Sequence, residues 1–380
     1  MKKHKILIIA GTRPEAIKVA PLYIELKERV EFEPVLCSTG QHKELLDDAF
    51  GAFKLKPDLN FNLMHAGQTL NGVMKGVIEC CDQTLRELRP DAIIVQGDTT
   101  TAMSVAIAAF YSKIPVGHLE AGLRTGNLQS PYPEEGNRKI ITQIANWNFA
   151  PTEKSAENLL HEGVKPKQVF VVGNSVIDAL FLCSKISRNN DRIALDIDKK
   201  IGFSSKHTKF VLVTCHRREN FGKPVRGILN ALSALAKEHE DFYFVYPAHP
   251  NPEIQNAIKE TVDPKLKNLL ILPPLNYTEM VYMLELCFLV LTDSGGLQEE
   301  APSFKKPILI LRDSTERPEV LQYGLAKLVG SSKEKIEMEV NSCIRDPNYY
   351  ASFIGKSNPF GDGNTSQRVA DILQLELKQR

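Results

Sequence analysis

The sequence lacks the short motifs that mark P-loop nucleotide hydrolysis, zinc proteolysis and dinucleotide binding. It has no G-x-x-x-x-G-K-[ST] loop, no H-E-x-x-H and no strand-linked G-x-G-x-x-G, and the run Gly361-Asp362-Gly363 lacks a third glycine. Nucleotide triphosphate hydrolysis by a P-loop and NAD-dependent chemistry therefore have no support. Any phosphate must instead be bound by arginines and by a different glycine turn.

The sequence also lacks paired cysteines, a charge excess and long apolar runs. Its seven cysteines are odd in number and show no C-x-x-C spacing, so we expect neither disulfides nor zinc, and a reducing cytosol fits best. The net charge of +1 gives no general attraction to nucleic acid or anionic lipid. No run approaches the roughly 18 apolar residues of a membrane span. We expect a soluble, cytoplasmic protein with neither nucleic acid nor membrane as a partner.

What the sequence does contain is a repeated strand and helix pattern. A chain of 380 residues predicts two domains with a cleft between them. Short apolar runs typical of buried parallel strands alternate with stretches long enough for helices. In the first half the runs cover 6–9, 34–37, 92–95, 115–117, 148–150 and 169–172, and helices are predicted over 15–28, 70–88 and 100–111. In the second half the runs cover 210–213, 242–245, 269–272, 288–292, 307–311 and 326–329.

The pattern restarts after a polar stretch at 184–209, which indicates a domain boundary near 174. We expect an α/β fold of two Rossmann-like, doubly wound domains, with one lobe over 1–174 and the other over 175–359. A turn-rich break precedes a last predicted helix. We expect residues 360–380 to pack back on the first lobe.

Polar residues directly after a buried strand are the candidates for function, because open parallel sheets bind ligands beyond the carboxyl ends of their strands. After the first strand, Gly11 allows a tight turn, and Arg13 and Lys18 flank the start of a helix. Free N–H groups at a helix start favour an anion. Alternatively, the two cations are solvated and pair with Glu15 or Glu25.

Carboxylates follow later strands of the first lobe. Asp98 either faces a ligand or caps the next helix. Glu120 follows the next strand and lies near Asp98 if the two strands are neighbours. Glu134 and Glu135 come at a predicted helix start, where acidic residues also complement the helix dipole. Carboxylates at neighbouring strand ends are typical of acid–base chemistry.

The second lobe has cations at its strand ends. His216, Arg217 and Arg218 follow one strand and suit a diphosphate. His249 follows another strand, either as a functional residue or as a histidine hydrogen-bonded to the backbone.

A glycine turn follows a later strand of the same lobe, in the run Ser294-Gly295-Gly296. Its glycines let the backbone approach a phosphate, and a helix start points N–H groups at it. Glu300, one turn further on, could accept hydrogen bonds from both hydroxyls of a ribose. Arg317 follows the next strand of this lobe.

Six motifs occur in the order found in one known family: GTRPEAIK at 11–18, GDTT at 97–100, HLEAGLR at 118–124, PEEGNR at 133–138, HRREN at 216–220 and DSGG at 293–296. Over almost the whole chain, down to NPFGDG at 358–363, the sequence resembles the non-hydrolysing UDP-N-acetylglucosamine (UDP-GlcNAc) 2-epimerases. The resemblance implies a glycosyltransferase-B-like fold that clamps a UDP-sugar in the interdomain cleft, a homodimer, and no redox cofactor. It implies reversible conversion of UDP-GlcNAc to UDP-N-acetylmannosamine (UDP-ManNAc), which feeds bacterial-type cell-surface polysaccharide synthesis.

The resemblance also implies a mechanism with assigned residues. UDP leaves by anti elimination to give 2-acetamidoglucal, then adds back with a proton delivered to the other face of C2. The residues matched to proton transfer or charge stabilisation are Asp98, Glu120, Glu134 and His216. The positions matched to binding of the sugar and UDP are Arg13, Lys18, Leu275, Met280, Ser294, Gly295, Gly296, Glu300 and Arg317.

Certain bacterial members of this family bind a second, activating UDP-GlcNAc. The candidate residues for that site are Gln41, His42 and His249. Where that site has an arginine before Gln-Thr-Leu, this chain has Gly67.

Three other functions compete with epimerisation of UDP-GlcNAc. A glycosyltransferase of the same fold would not need three carboxylates in one cleft. A hydrolysing epimerase, or an epimerase for another 2-acetamido sugar, usually departs from the RPEAIK run that this chain keeps at 13–18. An inactive sugar-nucleotide sensor would not need to keep Asp98, Glu120, Glu134 and His216.

Overall fold

Two separate parallel sheets organise the chain. The computed structural model describes residues 3–40, 43–63 and 67–379, apart from the side chains of 43–45 and 218. The chain divides into a first unit, Met1–Leu182 with Phe360–Arg380, and a second unit, Cys183–Pro359. The division falls inside the helix Ser175–Arg188, eight residues after the predicted boundary at 174. This helix therefore begins in the first unit and ends in the second.

The strands of the described residues are β1 (His4–Ala10), β2 (Phe32–Ser38), β3 (Leu59–Asn60), β4 (Ala92–Gln96), β5 (Val116–Leu119), β6 (Trp147–Ala150), β7 (Val169–Val171), β8 (Phe210–Thr214), β9 (Tyr243–Pro247), β10 (Leu269–Leu272), β11 (Leu289–Thr292), β12 (Ile308–Ile310) and β13 (Ala326–Leu328). The α-helices are α1 (Arg13–Glu28), α2 (Lys43–Gly51), α3 (Leu70–Leu88), α4 (Thr100–Tyr111), α5 (Glu134–Ile144), α6 (Glu153–His161), α7 (Ser175–Arg188), α8 (Asp191–Ile201), α9 (Lys223–Glu238), α10 (Pro252–Thr261), α11 (Tyr277–Leu286), α12 (Gly295–Glu300), α13 (Pro318–Gln322), α14 (Lys333–Arg345), α15 (Pro347–Ser352) and α16 (Thr365–Lys378).

The sheet of the first unit has the order β3-β2-β1-β4-β5-β6-β7, with every strand parallel to its neighbours. The strand order reverses between β1 and β4. In doubly wound sheets such a reversal opens a crevice at the carboxyl edge, where ligands bind. The loops after Ala10 and Gln96 therefore meet at this reversal.

The sheet of the second unit has the order β10-β9-β8-β11-β12-β13 and is also parallel. Here the order reverses between β8 and β11, where Thr292 pairs with Thr214. The loops that begin at Cys215 and Asp293 thus start side by side. The prediction of two Rossmann-like α/β sheets is confirmed.

Apolar side chains on both faces of the sheets explain why these segments fold as they do. Every residue of β4, β8 and β11 is buried, as expected for strands covered by helices on both faces. In α3 the buried residues recur every fourth position, which gives the helix one apolar stripe toward the sheet: Val73, Val77, Cys81 and Leu85. The two-residue strand β3 was not predicted, because two residues are too few for a periodic signal.

The C-terminal helix α16 belongs to the first unit and packs against α1. Val369, Ala370, Leu373 and Leu377 are its buried apolar residues. At its start, the Asp178 carboxylate accepts hydrogen bonds from the backbone N–H groups of Thr365 and Ser366, at 3.2 and 2.6 Å. In the described part of the chain, no helix is long and apolar enough to cross a membrane.

Candidate active site

The Glu15 carboxylate connects the loops at the strand reversal of the first unit. It accepts hydrogen bonds from the N–H groups of Gly11 and Thr12, at 2.6 and 2.8 Å, and from the Thr99 hydroxyl at 2.5 Å. Burial raises the pKa of Glu15, and these hydrogen bonds oppose that shift. A Cβ at Gly11 would lie 2.7 Å from Thr101 Oγ1, so only glycine allows this approach between the loops.

Lys18 and Glu120 form a largely buried ion pair near the same edge. Lys18 Nζ lies 2.5 Å from Glu120 Oε1, and the side chains are 15% and 8% exposed. The amides of Gln96 and Asn174 also donate to Glu120, at 2.6 and 3.1 Å. Lys18 therefore forms an ion pair with Glu120, a partner that the sequence-based alternative of Glu15 or Glu25 did not include.

Glu120 itself has an unusual backbone. Its φ is +63°, a left-handed conformation that costs a non-glycine residue of order 1–3 kcal/mol and that clusters at functional sites. A Cβ on Gly97 would lie 3.7 Å from Glu120 Oε2, so the carboxylate faces the turn that precedes Asp98. Glu120 was expected to lie near Asp98 if the strands that precede them are adjacent, and β4 and β5 are indeed neighbours in the sheet.

Asp98 is held by α5 rather than used as a helix cap. Arg138 donates to Asp98 Oδ2 from Nε at 2.8 Å, with a second guanidinium nitrogen at 2.7 Å. The Asn137 amide donates to the Asp98 carbonyl oxygen at 2.8 Å. The N-cap of α4 is Thr99, whose hydroxyl accepts the Ala102 N–H at 3.1 Å. The capping alternative for Asp98 is therefore wrong.

Glu134 and Glu135 open α5 in opposite environments. Glu135 is fully buried and accepts hydrogen bonds from the N–H groups of Thr125 and Gly126 and from Arg138. Burial tends to raise the pKa of Glu135, but these partners lower it overall. Within the described residues, the buried Oε2 of Glu134 has no hydrogen-bond partner.

His118 is a buried histidine that sequence reasoning did not single out. Its Nε2 lies 2.7 Å from the Gly97 carbonyl oxygen, so Nε2 carries the proton and supports the turn before Asp98. Burial lowers the pKa of His118 to about 4, against the opposing effect of that hydrogen bond. The His118 ring is therefore neutral in the folded protein at neutral pH.

In the second unit, a buried carboxylate organises the loop after β8. Asp293 Oδ2 accepts hydrogen bonds from the N–H groups of His216 and Arg217, both at 2.8 Å, and from the Asn220 amide at 2.9 Å. Asp293 Oδ1 lies 3.2 Å from His216 Nδ1, and the imidazole is 44% exposed. Burial tends to raise the pKa of Asp293, but the contact with His216 and the backbone donors lower it overall.

Two arginines surround the glycines that begin α12. A Cβ at Gly295 would lie 3.6 Å from guanidinium atoms of both Arg217 and Arg317. Glu299, which is 2% exposed, accepts a hydrogen bond from Arg317 Nε at 2.6 Å and fixes that side chain. The Ser294 hydroxyl caps the helix by accepting the Leu297 N–H. The turn can therefore present backbone N–H groups and two cations to one anion.

The remaining predicted residues of the second unit lie in helices and in the loops that follow strands. Glu300 is buried, and its carboxylate accepts a hydrogen bond from the Tyr277 hydroxyl at 3.4 Å. Leu275 is buried just before α11, and Met280 is half-buried within that helix. His249 is exposed, and its Nδ1 accepts the Asn251 N–H at 3.1 Å.

Arg13, at the first position of α1, is half-buried. Gln41 and His42, the other candidates for an activating site, lie outside the described residues.

Several residues that hold the candidates were absent from the sequence-based selection: Gln96, His118, Asn174, Arg138, Asp293 and Glu299. Asp293 carried a usable signal, because it directly follows a buried strand. The others could not be found in that way, since they act by side-chain contacts that strand ends do not reveal.

The two parallel sheets and their strand-end loops are similar to those of known proteins. In solved structures the fold matches two-domain, Rossmann-like proteins of glycosyltransferase-B type. A UDP-GlcNAc 2-epimerase from Neisseria meningitidis bound to UDP-GlcNAc has a TM-score of 0.88 and 41% identity, covering 98% of this chain and 100% of that one. The Methanocaldococcus jannaschii UDP-GlcNAc 2-epimerase in complex with UDP-GlcNAc and UDP has a TM-score of 0.78 and 32% identity, covering 98% and 99%.

Sequence comparison gives the family. The family model described as UDP-N-acetylglucosamine 2-epimerase matches residues 24–374. The UDP-N-acetylglucosamine 2-epimerase of Escherichia coli strain K12 is 42% identical over 370 residues, covering 97% of this chain and 98% of that protein. The chain belongs to the UDP-N-acetylglucosamine 2-epimerase family.

Proposed function

We propose that this protein interconverts UDP-GlcNAc and UDP-ManNAc by inverting C2. The reaction runs by elimination: the C2–H proton passes to a base, the C1–O bond breaks with its electron pair leaving on UDP, and a C1=C2 bond forms. UDP then adds back to the 2-acetamidoglucal, and a proton returns to the opposite face of C2. Family membership supports this reaction, and the carboxylates of Asp98, Glu120 and Glu134 in the first unit provide groups for it.

The observation that carries the proposal is the contrast among the three carboxylates. Glu120 accepts hydrogen bonds from three side chains, and Asp98 is held by a guanidinium, so both are arranged as fixed anions. Glu134 keeps a buried oxygen without a partner among the described residues. An oxygen free of donors can take a proton, and we therefore assign removal of the C2 proton from one face to Glu134, while the proton delivered to the opposite face comes from a second group.

Glu120 and Asp98 then stabilise the positive charge that develops on the sugar ring as the C1–O bond breaks. Fixed charges that face developing charge need no reorganisation during the reaction, which makes them effective. Lys18 orients Glu120, and Arg13 at the start of α1 interacts with the sugar or the diphosphate. The first unit is thus the sugar-handling part of the protein.

The second unit binds UDP in this proposal. Its diphosphate lies at the turn of Ser294, Gly295 and Gly296, where Arg217 and Arg317 supply positive charge and His216 assists departure of the phosphate oxygen. Glu300 accepts hydrogen bonds from the ribose hydroxyls, and Leu275 and Met280 support the uracil.

We further propose that the protein works as a homodimer in the cytosol. Large apolar residues at the end of α4 are exposed, with Phe110 at 53% and Tyr111 at 77%, and a second copy of the chain is the proposed cover. The described cysteines are all free, which agrees with a reducing compartment. The product would supply N-acetylmannosamine units for bacterial-type cell-surface polysaccharides. Light scattering should give twice the mass of one chain, and a monomer would refute the dimer.

The test of the reaction is incubation of the purified protein with UDP-GlcNAc in D₂O, followed by proton NMR. The proposal expects UDP-ManNAc and deuterium at C2 of both sugars. Release of free N-acetylmannosamine would indicate a hydrolysing enzyme, and unlabelled UDP-GlcNAc as the sole species would exclude epimerisation. Glu134→Gln should lose the C2 exchange while retaining UDP binding.

A further inference from the structure

Asp293 and His216 form a carboxylate–imidazole pair at the strand reversal of the second unit. They come from the ends of neighbouring strands β11 and β8, 77 residues apart in sequence. The carboxylate is fully buried, whereas the imidazole is 44% exposed. The pair thus has one end fixed in the protein and the other accessible to a ligand.

The hydrogen bonds of Asp293 leave one oxygen for the histidine. Three donors from the loop after β8, including two successive backbone N–H groups, all bind Oδ2. Oδ1 is buried and, in the described part of the chain, has no partner with hydrogen-bond geometry, but the imidazole Nδ1 lies 3.2 Å from it, within ion-pair distance. An ionised carboxylate this close favours a proton on Nδ1 over a lone pair.

We infer that Asp293 is the positioning residue of His216: it holds the imidazole as the Nδ1–H tautomer and orients Nε2 toward the diphosphate. The inference rests on the proposed function for its chemical consequence, but the tautomer itself does not depend on it. Carboxylate partners of histidine fix tautomer and orientation in many enzyme sites.

The arrangement gives the pair a defined part in the elimination. While the C1–O bond breaks and its electron pair moves to the β-phosphate oxygen, protonated His216 donates a hydrogen bond from Nε2 to that oxygen. The C2 proton goes to the carboxylate base of the first unit, so the atoms and charges balance without a transfer from Asp293. Asp293 remains ionised and stabilises the imidazolium. Because Ser294 follows Asp293 directly, the same segment sets the positions of the histidine and of the glycine turn.

A double-mutant cycle separates this role from a merely structural one. Asp293→Asn should lower kcat about 10- to 100-fold with a smaller change in KM, since a neutral amide no longer stabilises the imidazolium that donates from Nε2 in the transition state. In the His216→Asn background the same change should have less than about a 3-fold effect, because interacting residues are non-additive. If the two losses multiply, Asp293 does not act through His216 and the inference is overturned.

The matched control is Asp313→Asn. Asp313 also follows a strand of this sheet, β12, but its side chain is exposed. Its kcat and KM should equal those of the unchanged protein. An equal loss in this variant would show that any strand-end carboxylate of the sheet matters, and it would count against a specific role for Asp293.

The tautomer can be measured without any turnover and without the buried substitution. Long-range proton–nitrogen NMR of the ¹⁵N-labelled protein at alkaline pH reports which ring nitrogen carries the proton, and the His216 signals are those absent from His216→Asn. The inference expects a protonated Nδ1 in the unchanged protein. A protonated Nε2 overturns it even if the protein epimerises UDP-GlcNAc. If the protein lacks epimerase activity but Nδ1 is protonated, the proposed function fails and the pairing stands.

Discussion

Lys18 Nζ and Glu120 Oε1 lie 2.5 Å apart, although 102 residues separate them in sequence. Lys18→Met should lower kcat/KM by about 100-fold or more, because a buried anion loses its cation and its orientation. NMR of the sugar anomeric region gives the rates. Lys75→Met removes an exposed pair with Glu79 on α3 and should leave activity unchanged. Full activity of Lys18→Met would contradict this role for the pair.

The adjacent glutamates at the start of α5 should respond in opposite ways to the same change. Glu134→Gln should lower C2 deuterium exchange by about 10²- to 10⁴-fold, as loss of an acid–base group does, while the melting temperature is maintained. Glu135→Gln should lower the free energy of unfolding by about 2–3 kcal/mol, because buried donors from Thr125, Gly126 and Arg138 lose a charged acceptor. Calorimetry and exchange rates on both variants test the contrast. It fails if the stability losses are equal.

His118 should make stability depend on pH in a defined range. The pKa of His118 is lowered from 6.5 to about 4 in the folded protein, so the unfolded chain takes up this proton first as pH falls. Its contribution is therefore complete above about pH 6.5 and is lost progressively toward pH 4, by up to about 3 kcal/mol. His118→Gln keeps a donor for the Gly97 carbonyl but does not titrate. The difference in unfolding free energy between the two proteins should change across this range, and a constant difference would disprove the effect.

Gly122 and Gly126 provide a matched test of close packing in the first unit. Both have positive φ, at +89° and +76°, so an alanine at either position should cost about 1–2 kcal/mol. A Cβ on Gly122 would also lie 2.2 Å from the Ser155 carbonyl oxygen, whereas one on Gly126 meets nothing within 4 Å. Denaturant unfolding should show Gly122→Ala as the more destabilised by at least about 2 kcal/mol. Equal losses would mean that the helix α6 can move away.

The sequence could predict only those candidate residues of the site that directly follow a buried strand. Asp98, Glu120 and His216 were selected as candidates because parallel strands end at one edge of a sheet, and a buried strand is recognisable from its apolar run. The contacts that hold these residues were beyond reach. Asn174 donates to Glu120 from 54 residues away, and Lys18 does so from the second turn of a helix. Such contacts depend on how far each side chain extends in the folded protein, which apolar periodicity does not record.

The position of α16 has a consequence for synthesis of the protein. This helix covers α1 through Val369, Leu373 and other buried residues, yet the ribosome makes it after the entire second unit. Domains usually fold in the order in which they emerge. Here the second unit can complete its core first, while the earlier residues wait with an apolar surface uncovered. The nascent chain is thus most exposed to aggregation, and to chaperone binding, in the first unit.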